Sequence, residues 1–343
     1  MVLYSGSFAA QDVLCDLRSD TVTKPCAEMR AAMAGAELGD DCYGDDPTVA
    51  RLEAQLADRM GKDAGVFFPT GCMSNLACLM AQCARGDEVI TGRDYHVYAD
   101  EAGSPSVLGG LSLEPLPVAE DGALEPGDIR AALKPDDQHY AVSRLLSLEN
   151  TVGGRAIPLP RMQAAAEAGR EAGLALHLDG ARFFNAITAL GCTDTDLAGL
   201  ADTVSLCLSK GVGAPAGTVL VGPAPVLAKA RRARKLLGGG MRQSGVLAAA
   251  ALWGLEHVVP RMAEDHARAV DLAEALRPLG QVRQATNMVF FTPADAVAAE
   301  IGPRLAAQGI RISAGSPEIR LVLHRDVDDA ALASAIAAFQ SLG

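Results

Sequence analysis

Apolar positions along this chain switch between helical spacing and short unbroken runs. Over Pro47–Met60 they fall at Val49, Leu52, Leu56 and Met60, one face of a helix, with Asp46 as N-cap and Pro47 in the first turn. Val66-Phe67-Phe68 is a continuous run of the kind buried strands show. It ends at Pro69-Thr70-Gly71, and Asn75–Cys83 reads as the helix that follows. Glu88–Thr91, Leu145–Leu148, Ala175–Leu178, Thr203–Leu208 and Thr218–Val221 are further strands, with helices such as Pro160–Ala172 and Arg182–Leu190 between them. Strands that alternate with helices in this way predict βαβ units and a mostly parallel sheet.

Near residue 245 the pattern changes. Gly245–Val259 and Arg261–Leu276 read as two long helices. A β-α-β-α tail follows over Asn287–Phe291, Ala294–Gln308, Glu318–Leu323 and Asp328–Leu342. The expected organisation is an N-terminal arm over 1–24, a large α/β domain over 25–250 and a smaller α+β domain over 251–343. A chain of 343 residues suits one large core and one small one. Gly238-Gly239-Gly240 reads as a loop between helices.

Composition narrows the function classes. Hydrophobic residues at 49% and charged residues at 21% exclude a disordered chain. A net charge of −12 repels phosphate backbones, and the short cluster Arg231-Arg232-Ala233-Arg234-Lys235 reads as a solvated helix face, so no nucleic-acid partner is expected. No apolar run is long enough for a membrane span, and Met1–Leu14 lacks the charge and apolar core of a signal peptide. The eight cysteines show no CxxC pair and no Cys/His ligand spacing. Residues such as Cys78, beside Leu79 and Met80, read as small hydrophobes, so reduced thiols, a cytoplasmic location and no metal site are expected.

Two strand ends carry candidate chemistry. Asp179 closes an apolar strand in His177-Leu178-Asp179-Gly180-Ala181-Arg182, where a carboxylate points into the crevice that binds ligands. Lys210 closes another, in Leu208-Ser209-Lys210-Gly211. A strand-end lysine ordinarily reaches solvent, but an aspartate at the preceding strand end matches what pyridoxal 5′-phosphate (PLP) needs. That cofactor requires a lysine for a Schiff base, a carboxylate for its pyridine nitrogen, backbone amides for its phosphate and a flat group against its ring. Thr70-Gly71-Cys72 opens a helix after a strand and supplies the amides, a weak motif in itself; His96, in Tyr95-His96-Val97-Tyr98, supplies the ring. His177 reads as a core histidine. Arg182, placed against the dipole of a helix start, and Arg320, at the opening of a small-domain strand, are candidates to clamp a carboxylate. Neither a P-loop nor a GxGxxG fingerprint is present, which disfavours a nucleotide or NAD enzyme.

Longer blocks then carry a resemblance. Asp16-Leu17-Arg18-Ser19-Asp20-Thr21-Val22-Thr23, Gly39-Asp40-Asp41-Cys42-Tyr43-Gly44-Asp45-Asp46-Pro47-Thr48, Leu148-Glu149-Asn150-Thr151, the two segments around Asp179 and Lys210, and Gly238-Gly239-Gly240-Met241-Arg242-Gln243-Ser244-Gly245 resemble the low-specificity L-threonine aldolases. The similarity runs over nearly the whole chain from Asp16 onward. It implies the fold type I architecture of PLP-dependent transferases, with a mostly parallel seven-stranded sheet. It also implies a homo-oligomer, usually a tetramer built from dimers, with active sites shared across the dimer interface. The activity implied is cleavage of L-threonine, L-allo-threonine and related β-hydroxy-α-amino acids to glycine and an aldehyde.

The resemblance also implies residue roles. Lys210 carries the cofactor, with Ser209 beside it, and Asp179 partners the pyridine nitrogen. Thr70, Gly71 and Cys72 sit at the phosphate, and Arg242 reaches a phosphate in the neighbouring subunit. His96 stacks on the ring. Ser19, Arg182 and Arg320 contact the substrate carboxylate, Tyr43 lies near the neighbouring site, and His139 influences which epimer is accepted. His96 is the first candidate for the base that takes the β-hydroxyl proton and His139 the second. Two departures stand out: Cys72 occupies a position that is commonly threonine, and the first fifteen residues are an extra arm. Aminotransferases, β-lyases and alanine racemases share the Asp–Lys logic but not these blocks. A PLP-fold module without catalysis is disfavoured by the presence of Lys210, Asp179 and Arg320.

Overall fold

The computed structural model describes residues 13–298 and 300–342, so most of the extra N-terminal arm lies outside the described residues. The chain forms two compact units. One spans Thr23–Ala263, and the other joins the segment ending at Val22 to the chain from Glu264 onward.

The larger unit is built on a seven-stranded sheet: β1 (Ala64–Phe68), β2 (Glu88–Gly92), β3 (Ser112–Leu116), β4 (Ser143–Glu149), β5 (Ala175–Gly180), β6 (Thr203–Cys207) and β7 (Thr218–Gly222), in the order β1-β7-β6-β5-β4-β2-β3. Leu145, Leu146 and Leu148 on β4, Leu176 and Leu178 on β5, and Val204 and Leu206 on β6 are all buried, on both faces of the sheet. A strand covered on both sides has no polar face, which is why these segments read as predominantly apolar runs. β3 carried no such signal. It lies at the sheet edge, is only partly buried and contains Glu114 and Pro115, a composition that suits an edge strand.

β7 runs antiparallel to both of its neighbours, while the remaining pairs from β6 across to β3 are parallel. The cause is the link over residues 208–217, which turns back without a helix and therefore cannot make a parallel crossover. Its ends are tied by Leu208 N–H donating to Gly217 O at 3.0 Å. Gly217 has φ +120°, and a Cβ there would stand 2.6 Å from the Phe67 ring, so only glycine fits.

The helix after β1 begins at Gly71, one turn before the apolar pattern starts, because the Thr70 side chain caps it by accepting from Met73 N–H at 3.3 Å. The helix Gly245–His257 packs on Ala27–Ala34 and Pro47–Arg59, and its Ala248, Ala251 and Leu255 are buried.

The smaller unit has an antiparallel sheet of β8 (Gly280–Ala285), β9 (Met288–Pro293) and β10 (Ile319–Val322), with β9 in the middle. β8 is an edge strand with no apolar run, and its sequence gave no strand signal. The helix expected over Ala294–Gln308 is two, Asp295–Ala298 and Ile301–Ala307. Pro303 has no N–H to give to a preceding turn and fits only near a helix start. Cys15 and Asp16 pair in parallel with Ile310 and Arg311, and Leu17 O accepts from Val322 N–H at 2.9 Å. Leu17, Leu272, Val289, Leu321 and Phe339 share the core of this unit.

Candidate functional site

The C-terminal ends of β1, β2, β4, β5 and β6 open on one edge of the large sheet, the edge at which ligands bind in open α/β folds. Asp179, the penultimate residue of β5, is 3% exposed. Its Oδ1 accepts from Ala181 N–H at 2.9 Å and its Oδ2 from Asn75 Nδ2 at 2.8 Å. Asn75 projects from the helix Gly71–Gln82 and donates also to Glu101 Oε1, at 2.7 Å. With its nitrogen engaged by two carboxylates, its Oδ1 is the atom that faces His177 Nε2, at 3.2 Å. Burial holds the His177 pKa down to about 4, so that ring is neutral and donates to Asn75. Its Nδ1 lies 3.0 Å from Thr203 Oγ1.

His96 opens the short helix His96–Ala99 after β2. Its backbone N–H donates to Glu149 Oε2 at 2.6 Å, and its Nδ1 is 2.9 Å from Glu101 Oε1. The bond to Glu101 raises the His96 pKa. Burial pushes both carboxyls up: Glu101 with a further push from Asp179, and Glu149 to about 8, with the charge of Asp179 as the second cause.

Lys210 lies in the reversal after β6, its carbonyl accepting from Gly213 N–H at 2.8 Å. The lysine's charge acts on His96, Glu149 and Cys72 alike, which places it at the same cluster. Ser209 Oγ is 3.6 Å from Cys207 Sγ.

These residues fit the expected cofactor. At the start of a helix twelve residues long, the first backbone N–H groups have no carbonyl within the helix to receive them. The buried Thr218 Oγ1 has no hydrogen-bond partner among the described residues, and it stands 3.7 Å from where a Cβ on Gly71 would be. An anion with several acceptor oxygens suits such a set of unpaired donors. Beside it, Asp179 offers a buried carboxylate, His96 an imidazole and Lys210 an amine.

The other residues singled out from sequence lie in varied places. Arg182 occupies the N-cap position of Phe183–Leu190. Tyr43, 80% exposed, and Arg242, 3.4 Å from Asp40, lie on loops joined by Asp41 N–H donating to Arg242 O. His139 is on an exposed turn, with Nδ1 2.6 Å from Asp137 Oδ1. Ser19 and Arg320 belong to the smaller unit, where the Ser19 hydroxyl receives Thr21 N–H at 3.2 Å and Arg320 is an outward position on β10. Asn75 and Glu101 were not legible as site residues. Asn75 left one clue, an amide within the apolar stretch Leu76-Ala77-Cys78-Leu79; Glu101 left none.

A family model described as beta-eliminating lyase matches residues 16–296. The low-specificity L-threonine aldolase of Escherichia coli K12 is 46% identical over 326 residues, covering 94% of this chain and 98% of that one. Among solved structures, a Leishmania major threonine aldolase matches with a TM-score of 0.82 at 21% identity, covering 96% of this chain and 99% of that chain. A structure of SPT with PLP matches with a TM-score of 0.73 at 19% identity, covering 96% and 87%. At such identities the two structural likenesses speak for the fold.

Proposed function

The chain belongs to the beta-eliminating lyase family, and from that premise we propose that it is a PLP-dependent aldolase of low specificity. Its substrates are L-threonine, L-allo-threonine and other β-hydroxy-α-amino acids, and its products glycine and an aldehyde. The observation that carries the reading is the convergence of Asp179, His96 and Lys210, from three strand ends, around the Asn75 amide and the Gly71–Gln82 helix start.

When bound, PLP supplies an electron sink for the negative charge left at Cα as the Cα–Cβ bond breaks. Lys210 holds the cofactor covalently, with Ser209 alongside. Asp179, oriented by Asn75, stabilises a protonated pyridine nitrogen. The backbone N–H groups of Gly71 and Cys72, the capping Thr70 and the hydroxyl of Thr218 receive the phosphate. Arg182, at the start of the helix Phe183–Leu190, takes the substrate carboxylate.

His96 packs against the ring. With its Nδ1 engaged by Glu101, Nε2 is the nitrogen left to accept the β-hydroxyl proton. His139 is the second candidate for that proton and for epimer choice. Tyr43 and Arg242, exposed on adjoining loops, suit a site completed by a second copy, in a homo-oligomer of paired dimers. Eight free thiols suit a reducing cytoplasm. Among the described residues no helix is long and apolar enough to cross a membrane.

Incubation with each threonine epimer tests the reading. Acetaldehyde and glycine are expected in equal amounts from the parent and only traces from Lys210→Ala. Borohydride is expected to fix PLP to the parent chain and not to the variant. Absence of aldehyde from both epimers, or PLP fixed to another lysine, sinks the proposal.

A further inference from the structure

We propose that Cys72, His96 and Glu101 form a site for a soft divalent cation, Zn2+ foremost, in the cofactor-free protein, and that metal and PLP exclude one another there. The three residues offer one sulfur, one nitrogen and one oxygen, all within 4.8 Å of each other. They come from the start of the helix Gly71–Gln82, the start of the short helix His96–Ala99 and the segment beyond it, so no ligand spacing marks them in the sequence.

Glu101 is the firmest part of the site. It is 4% exposed, with Oε1 fixed between Asn75 Nδ2 at 2.7 Å and His96 Nδ1 at 2.9 Å. Its other oxygen, Oε2, is buried and has no hydrogen-bond partner among the described residues. An orphaned buried carboxylate oxygen is costly, and a cation satisfies it without any donor on the protein. Asn75 then does what partners of ligating carboxylates do, holding the ligand in orientation.

Zinc bonds of about 2.0–2.3 Å put tetrahedral ligands roughly 3.3–3.8 Å apart, so the site closes by about an ångström of movement. The exposed Cys72 side chain, in the first turn of its helix, supplies that movement. Cys72 binds as thiolate, and its proton leaves to solvent. A thiolate and an imidazole select Zn2+ or Co2+ over Mg2+ or Ca2+, and three protein ligands leave the fourth position to water. The exclusion rests on the functional reading above, in which Cys72 lies at the phosphate and His96 at the ring.

The test uses the full chain freed of PLP, titrated with Co2+ as a spectroscopic stand-in and then with Zn2+. One cobalt per chain with a thiolate-to-cobalt absorption band is expected. Cys72→Thr is expected to abolish the band and weaken zinc binding at least ~100-fold, beyond the 10–100-fold typical of losing a partner outside the ligand set. Glu101→Gln is expected to weaken binding too, while Cys42→Ser, at an exposed thiol elsewhere, keeps the band. Near-UV circular dichroism verifies that each variant is folded. Saturating Zn2+ is expected to block PLP uptake by the parent, reversibly with chelator, and to leave uptake by Cys72→Thr unaffected. No thiolate band, or an unchanged band in folded Cys72→Thr, overturns the metal site. Unhindered PLP uptake by the zinc-loaded parent overturns the exclusion. Failure of PLP to bind with or without metal counts against the functional reading alone, and the cobalt band still decides the metal site.

Discussion

Glu101 and His96 meet side chain to side chain, Oε1 to Nδ1, at 2.9 Å, with the carboxylate buried and the imidazole half-buried. The contact fixes the ring's orientation; with Glu101 ionised, Nδ1 donates to it and the neutral ring presents Nε2 as its lone pair. An acid buried beside a histidine also favours the charged ring, and Glu101 is the first cause of the raised His96 pKa.

Glu101→Gln removes that charge. The His96 pKa falls, the ring stays neutral to lower pH, and the acid limb of the kcat profile moves down in pH. At the optimum, kcat is expected to fall at least ~10-fold, part of the 10²–10⁴ that a positioned base contributes. A pH profile with each threonine epimer checks both. An acid limb that stays in place removes His96 from the base role.

Glu149 gives a stability signature of the opposite practical sense to an ion-paired acid. Its folded pKa is raised, from 4.5 to about 8, chiefly by burial. The folded state therefore holds a proton that the unfolded state releases. The stability this contributes is complete below pH 4.5 and is lost as the pH rises towards about 8. Glu149→Gln has no such proton to lose. In urea titrations of the cofactor-free chain, the variant should gain on the parent across that window and hold a constant offset above it. A gap that narrows with rising pH contradicts the assignment.

Asn75 is the only neutral group seen bonding both Glu101 and Asp179 among the described residues. Hydrogen bonds to charged groups contribute about 1.5–3 kcal/mol each, so Asn75→Ala is expected to destabilise the chain by roughly 3 kcal/mol or more. PLP affinity should drop in parallel, because Asp179 loses its orientation. Chemical denaturation and PLP titration measure the two effects; a stable variant with weak PLP binding would assign Asn75 to the cofactor alone.

Asp41 and Arg234 form an ion pair at 2.7 Å with both side chains 4% exposed, and Arg234 Nη1 also donates to Phe67 O at 2.6 Å. Asp41→Asn leaves the guanidinium buried without its counter-charge, at a cost of about 3–5 kcal/mol. Replacing both together, Asp41→Leu with Arg234→Met, should cost clearly less. Denaturant midpoints of the single and double variants check the difference.

The central strands were legible because their physical signature is local. Leu145-Leu146 or Leu176 and Leu178, covered on both faces, are apolar. His177, between the latter two, is tolerated because its ring is bonded to Asn75 and Thr203. Asp179 was legible for a related reason: a charged residue closing such a strand has only the sheet edge to occupy. Lys210 stands three residues past the end of β6, in the reversal at the same edge. β3 and β8 were not legible, since an edge strand needs no apolar run. The start of a new helix just before Pro303 was written in the chain but hidden by the surrounding alanines.

Read alone, the chain yields the alternation of strands and helices, Asp179 and Lys210 at the sheet edge and, through its longer blocks, the family resemblance. What surrounds the lysine follows from the folded chain alone. Asn75 reaches Glu101 across 26 positions and Asp179 across 104. Hydrogen bonds between such distant positions impose no periodicity on the chain, so neither the carboxylate that orients His96 nor the sulfur, nitrogen and oxygen gathered beside it can be read from spacing.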